Sequence, residues 1–183
     1  MKNIFLVIIS AFIIISCENS HKEDIKSNDP VTIGSAKMDG TEVMTPLLVG
    51  ETANQQIWID YIEAHNERNL DKIAEINSND WVGYTPDGYV VKGTKAHIEA
   101  LDNWFQSTDP KWEVKWMIAN AAKNKDGVIE QWLTTGNDYT DIDENGNEIF
   151  EYNVHDVQFI NGKIKRINVY KRAKEQDLKE FSY

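Results

Sequence analysis

The chain has a single cysteine, Cys17, among its 183 residues. Without a second one, no internal disulfide can form. Basic residues are also scarce: 19 Lys and Arg stand against 30 Asp and Glu, a formal net charge of −11. That balance argues against a nucleic-acid partner, which needs clustered cations for its phosphates. It equally disfavours simple electrostatic docking on anionic lipid. A membrane-length apolar run is missing too: the run from Ile4 to Ile15 is shorter than the ~20 residues of a comfortable span. There is no Gly-rich phosphate loop, no G-x-S-x-G nucleophile and no HExxH pair. No cofactor or metal is therefore indicated, and no internal repeat is visible.

What is present begins with an address. Lys2 followed by the apolar run fits a secretory signal, residues 1–16. The segment ends Ile14-Ile15-Ser16-Cys17, which resembles the bacterial lipobox, in which the Cys is lipidated and becomes the mature N-terminus. The plainer alternative is an ordinary signal peptide with a chance Cys. The lipobox implies a lipoprotein anchored in the cell envelope outside the cytoplasm, with the membrane as a partner through its lipid. Residues 17–50 are polar and read as a tether, although Val43 to Val49 is apolar enough to pack as an N-terminal arm.

A folded domain is expected over 51–173, with a charged tail at 174–183. Thr52-Ala53-Asn54-Gln55 matches a capping box, and Ile57, Trp58, Tyr61, Ile62 and His65 then fall on one helical face. Asn69 can cap a second helix and Thr94 a third, with two short strands turning at Pro86-Asp87-Gly88 between them. Pro110 stops anything helical. Four strands follow, joined by turns at Asp126-Gly127, Asn145-Gly146 and Asn161-Gly162, whose residues supply the positive φ of tight hairpins. Helices followed by a meander argue for an α+β fold with helices on one face of the sheet.

The order and three local passages resemble the nuclear-transport-factor-2-like superfamily, and within it the SnoaL-like polyketide cyclase group. Trp81-Val82-Gly83-Tyr84-Thr85-Pro86-Asp87-Gly88 with Lys92-Gly93 is similar to that group's aromatic strand, P-D-G turn and K-G passage. Trp132-Leu133-Thr134-Thr135-Gly136 is similar to its W-x-x-T-G strand, and the passage from Val157 to Ile164 to its closing hairpin. The resemblance implies a cone-shaped, curved antiparallel sheet (a four-strand meander plus a short hairpin) with three helices on its inner face, often enclosing a pocket. It implies no single function.

Side chains two apart on a strand share a face. If Asn145-Gly146 and Asn161-Gly162 are both two-residue turns, one face carries Trp132 and Phe159 at its apolar end. Asp138, Asn153, His155, Asn168 and Tyr170 then sit at its polar end. A bulge would shift this register. These residues, with Trp58 and Tyr61 from the first helix, are the candidate contacts for a small, partly apolar molecule. The resemblance adds roles. His155 stands where the cyclases carry an acid–base Asp, and Asp138 where they carry a His, so the pair recurs with exchanged identities. A His–carboxylate pair can shuttle protons near neutral pH; the alternative is a His hydrogen-bonded to Asn168 in a pocket that only binds. His97 is expected at the surface, His65 near the pocket, and Trp104 and Trp112 in the core.

The segment from Asp141 to Gly146 matches the first half of a calcium loop, but the position that should hold a bidentate Glu is Tyr152, so a solvated hairpin is expected. Three functions remain open: a binding module, an acid–base enzyme of isomerase, cyclase or dehydratase type, and a homodimerising domain. The dimer would use an outer sheet face of Leu133, Thr135, Val154, Ile167 and Val169.

Overall fold

The computed structural model describes residues 30–143 and 145–173. The signal segment, Cys17, the start of the tether and the tail from residue 174 lie outside the described residues. The elements run β1 (Thr32–Ala36), β2 (Thr45–Val49), α1 (Ala53–Asn66), α2 (Leu70–Ile76), β3 (Asn77–Tyr84), β4 (Val90–Lys92), α3 (Thr94–Ser107), β5 (Lys111–Lys123), β6 (Ile129–Ile142), β7 (Glu148–Ile160) and β8 (Lys163–Ala173). They form an α+β fold with one eight-stranded sheet in the order β1-β2-β5-β6-β7-β8-β3-β4. All neighbours are antiparallel except β3 and β8, which run parallel, so the sheet is mixed. Part of the stretch expected as tether is sheet: β1 and β2 form a hairpin that extends the sheet beyond β5.

The helices pack on one sheet face. Trp58, Tyr61, Ile62 and Ala64 of α1 and Ile73 and Ile76 of α2 bury against Leu133, Val157, Phe159, Ile164 and Ile167 of the sheet. Asn69 caps α2 as its sequence suggests, its Oδ1 accepting from Lys72 N at 3.0 Å. Thr52 makes no side-chain cap, and α3 is preceded by Gly93 at φ 86 rather than capped by Thr94. The Thr94 hydroxyl instead donates to the Ser78 carbonyl at 2.8 Å, tying α3 to β3.

The register departs from the expected one in two places, and each shift turns side chains to the opposite face. At the β6–β7 connection Gly146 has positive φ (82°) and Asn145 does not, whereas a two-residue type I′ turn requires it at both central positions. The hairpin closes between Asp143 and Asn147, with Asp143 N donating to Asn147 O at 2.9 Å, one residue longer than a two-residue turn. Thr135 therefore stands opposite His155, and Asn137 opposite Asn153. The β7–β8 turn is a true two-residue turn, with Asn161 at φ 49 and Gly162 at φ 70. A bulge follows at once: Phe159 pairs with Ile164, but Gln158 pairs with Arg166. Beyond it His155 stands opposite Val169, not Asn168.

The faces are corrected accordingly. Leu133, Thr135, Ile167 and Val169, expected on the outer face, point to the helices, and Leu133 and Thr135 are fully buried. Of the five residues expected on the outer face, Val154 alone lies there, opposite Gly136 and Tyr170. Trp132, Asp138, Asn168 and Tyr170, expected inside, lie on the outer face.

Candidate functional site

Between α1, α3 and the sheet lies a cavity of about 200 Å³. Its floor is set by helical spacing on α1, where Trp58, Tyr61 and His65 fall on one face. His97 and Leu101 of α3 and Trp81 of β3 form one wall, and His155 and Val169 of the sheet the other. Tyr84, Trp104 and Ala100 are exposed and form the rim. Aromatic contacts stitch the lining together: Trp58 lies 5.1 Å from His155, and Tyr61 4.4 Å from His65, between ring centroids.

Three histidines line this cavity, and all are buried. Burial pushes the His65 imidazole down to about 4, despite the Tyr61 carbonyl that supports its charged form. Burial, with the His65 charge as a smaller cause, pushes both His97 and His155 down to about 3. All three are neutral near pH 7. His65 Nδ1 lies 2.7 Å from the Tyr61 carbonyl, which can only accept, so Nδ1 carries the hydrogen and Nε2 is a lone pair. Asn77 Nδ2 lies 3.1 Å from His97 Nδ1, and Asn137 Nδ2 2.9 Å from His155 Nδ1. With the amides donating, these two rings carry their hydrogens on Nε2. Rotating the Asn77 amide by 180° reverses its role, because Asn77 Oδ1 has no partner of its own, whereas Asn137 is held by a second bond, its Nδ2 also donating to the Thr135 carbonyl at 3.4 Å.

Further polar atoms in the lining are buried without a partner: Trp58 Nε1, Tyr61 Oη and Trp81 Nε1. The Tyr61 hydroxyl sits beside Asn77 and Trp81 without completing a hydrogen bond, and burial raises its pKa so that it stays a phenol. Among the described residues no Asp, Glu, Lys or Arg lines the cavity. Among the described residues no group of three or more His, Cys, Asp or Glu side chains converges as a metal site.

The residues singled out in the sequence divide as follows. Trp58, Tyr61 and His155 line the cavity. Phe159 and Asn153 point to the helix side but lie outside the lining: Phe159 is core, and Asn153 Nδ2 donates to Glu151 at 3.4 Å. Asp138 is not the partner of His155. Its carboxylate binds Lys115 at 3.2 Å on the outer face. Trp132 donates to Glu130 at 3.3 Å, also outside, and Asn168 and Tyr170 line a separate outer cleft. His97, expected at the surface, is 8% exposed and stacked on Trp81. Trp104 and Trp112, expected in the core, line the cavity, Trp104 at its rim. Asn137, Asn77 and Trp81 were missed as site residues. The signal for Asn137 was its parity with Thr135 and Leu133 once the longer β6–β7 loop is counted. Asp141, the first acidic residue of the calcium-like loop, accepts from the Tyr139 hydroxyl at 2.7 Å and from Asp109 N at 2.9 Å.

No family model matches the sequence, and no curated protein matches it either. Solved structures do. An LEH-like epoxide hydrolase of M. tuberculosis is 14% identical with a TM-score of 0.54, over 66% of this chain and 84% of that one. An NTF2-like protein of Burkholderia xenovorans is 13% identical with a TM-score of 0.53, over 68% and 92%. A protein described as a SnoaL-like polyketide cyclase, from Shewanella denitrificans, is 15% identical with a TM-score of 0.52, over 67% and 92%. The chain has the nuclear-transport-factor-2-like fold.

Proposed function

We propose that this protein is a binding domain for a small, uncharged, largely apolar molecule, held in the cell envelope by a lipid on Cys17. The observation that carries the reading is the cavity wall: among the described residues it presents aromatic rings, neutral imidazoles and buried, unpartnered donors, without one charged side chain. An ion entering it would lose its hydration with no counter-charge, which costs several kcal/mol. A neutral molecule with an acceptor oxygen would instead satisfy Tyr61 Oη or an indole N–H. The volume of about 200 Å³ is below that of drug-sized pockets, and holds roughly seven waters at ~30 Å³ each. That suits a single ring with a polar substituent. The anchor rests on the Ile14-Ile15-Ser16-Cys17 passage.

The acid–base alternative loses the pair it was built on, because Asp138 and His155 sit on opposite sheet faces. A lone His155 held down at about 3 is also a weak base, far from the near-neutral value that suits proton transfer at pH 7. Binding is therefore favoured over catalysis. The test is a titration of the full chain with cyclohexanone, cyclohexanol, cyclohexanecarboxylate and cyclohexylammonium, read by tryptophan fluorescence and calorimetry. The ketone or alcohol should bind at least roughly tenfold tighter than either ion. Equal or tighter binding of an ion, or Trp58→Ala leaving the affinity unchanged, would refute the assignment.

A further inference from the structure

The face of the sheet away from the helices carries a second cleft of about 790 Å³. It owes its existence to the two register shifts described above. They align two cross-strand rows on the outer face: Asn120, Trp132, Gln158 and Arg166 in one, Thr134, Asp156 and Asn168 in the next. Opposed side chains in such rows lie ~4.5–5.5 Å apart at Cβ. The β1–β2 connection supplies the opposite wall, where Asp39 reaches Arg166 Nη1 at 3.4 Å.

Two buried polar atoms in this cleft have no partner among the described residues. Gln158 is 8% exposed, and its Oε1 accepts nothing; Arg166 Nε is shielded and donates to nothing. They belong to directly opposed residues. A buried unsatisfied acceptor or donor costs ~1–3 kcal/mol, so an adjacent acceptor and donor on one wall mark a place built to be completed. Beside them Asp156 Oδ1 is fixed by the Thr134 hydroxyl at 2.8 Å, which orients the carboxylate. Aromatic faces are contributed by Trp132 and Tyr170. Lys37, Lys125 and Arg166 stand against Asp39, Asp126, Glu130 and Asp156, a slight excess of negative charge that does not select a phosphate, and Asp39 and Asp126 are already paired with Arg166 and Lys125.

We propose that this outer cleft binds a neutral saccharide, with Gln158, Arg166 and Asp156 engaging vicinal hydroxyl groups and Trp132 stacking on a sugar ring. A hydroxyl both donates and accepts. It therefore fits a wall where an amide oxygen, a guanidinium N–H and a carboxylate oxygen alternate. The axial C–H faces of a pyranose meet an aromatic plane in the way other apolar groups do. The volume lies within the ~300–1,000 Å³ typical of small-molecule sites and accommodates two or three sugar units. The cleft lies on the sheet face opposite the inner cavity, and Tyr84 is common to both linings.

The test uses the full chain against maltotriose, cellotriose, xylotriose and tri-N-acetylchitotriose, by calorimetry up to 10 mM probe, with sedimentation analysis of the same samples. At least one trisaccharide should bind. Trp132→Ala and Gln158→Leu should weaken that binding by roughly tenfold or more, and Tyr61→Phe in the inner cavity should not. Asn168→Ala, on an accessible part of the wall, serves as a milder variant if Trp132→Ala fails to fold, and should weaken binding measurably. The proposal is overturned if no probe binds. It is equally overturned if binding survives the Gln158 and Asn168 substitutions unchanged. A change in oligomeric state on substituting these residues, without saccharide binding, would assign the face to protein contact instead.

Discussion

The imidazole of His97 lies flat against the indole of Trp81, ring centroids 3.8 Å apart and planes 10° from parallel. An imidazolium in that place would gain ~1–2 kcal/mol from the indole face. Burial outweighs this gain and holds His97 down at about 3, with His65 at about 4 and His155 at about 3.

The first prediction is an acid-labile fold. All three histidines have folded values below the ordinary ~6.5 of an unfolded chain. Below pH ~6.5 the unfolded state binds more protons than the folded one, so stability falls as pH is lowered, and the loss continues until about 3–4. At pH 5 each histidine contributes a penalty on the order of 2 kcal/mol by this linkage. Three such penalties rival the whole ~5–15 kcal/mol stability of a domain. Urea midpoints measured at pH 7.5, 6 and 5 should decline steeply across that range. A flat profile down to pH 5 would show that the imidazoles are not buried as described.

The second prediction separates Asp138 from His155. Asp138 binds Lys115 on the outer face, an exposed-side ion pair whose contribution to stability is small. Asp138→Asn should leave ligand affinity in the inner cavity unchanged and lower stability by no more than that. His155→Ala, which removes a cavity wall and the partner of Asn137, should weaken affinity while costing about 1 kcal/mol for the lost hydrogen bond. If both substitutions reduced cavity binding together, the face assignment of β6 would be wrong.

That contrast shows what the sequence did and did not encode legibly. The strands, their order in the meander and the glycine positions of the hairpins were readable, because periodicity and positive-φ residues are local signals. Loop length was not read from Asn145-Gly146 alone, although the information was there. Thr85, Asn124 and Asp143 each stand three residues before the turn glycine. Each accepts from the backbone across its loop, at 3.0 Å from Tyr89 N, 3.0 Å from Val128 N and 2.8 Å from Asn147 N. A side-chain oxygen at that offset marks the longer loop. The two-residue turn at Asn161-Gly162 has Phe159 there instead, which cannot accept. The bulge in β8 carries no comparable mark, and it alone moved Asn168 and Tyr170 outward. Neither β1 nor the burial of His97 was legible. Pairing of a short N-terminal hairpin with β5, and the packing of α3 against Trp81, are tertiary events that local propensity does not specify.

The third prediction concerns the address. If Cys17 carries lipid, intact-mass analysis of protein extracted from the bacterial membrane should show a diacyl or triacyl adduct at a mature N-terminus on Cys17. Cys17→Ser should lack it and partition to the soluble fraction wherever cleavage still occurs. Protein without acyl mass would refute the anchor but leave both binding sites untouched.

The fourth prediction tests the outer face through Gly136. A methyl group added there would lie 2.1 Å from Trp116 Nε1 and 2.2 Å from Cε2, so the indole covers the glycine closely. Gly136 has no positive φ, so the constraint is the neighbouring ring and not the backbone. Trp116 is 45% exposed and can swing into solvent, which limits the damage to about 1–3 kcal/mol of lost packing. Gly136→Ala should red-shift the tryptophan emission and lower the unfolding free energy from urea titration by that amount. The double variant Gly136→Ala with Trp116→Ala should cost no more than Trp116→Ala alone, since the collision is then gone and the two effects are strongly non-additive. Were the two costs simply to add, the glycine would be required for another reason, and the stacking of Trp116 over β6 would not be its cause.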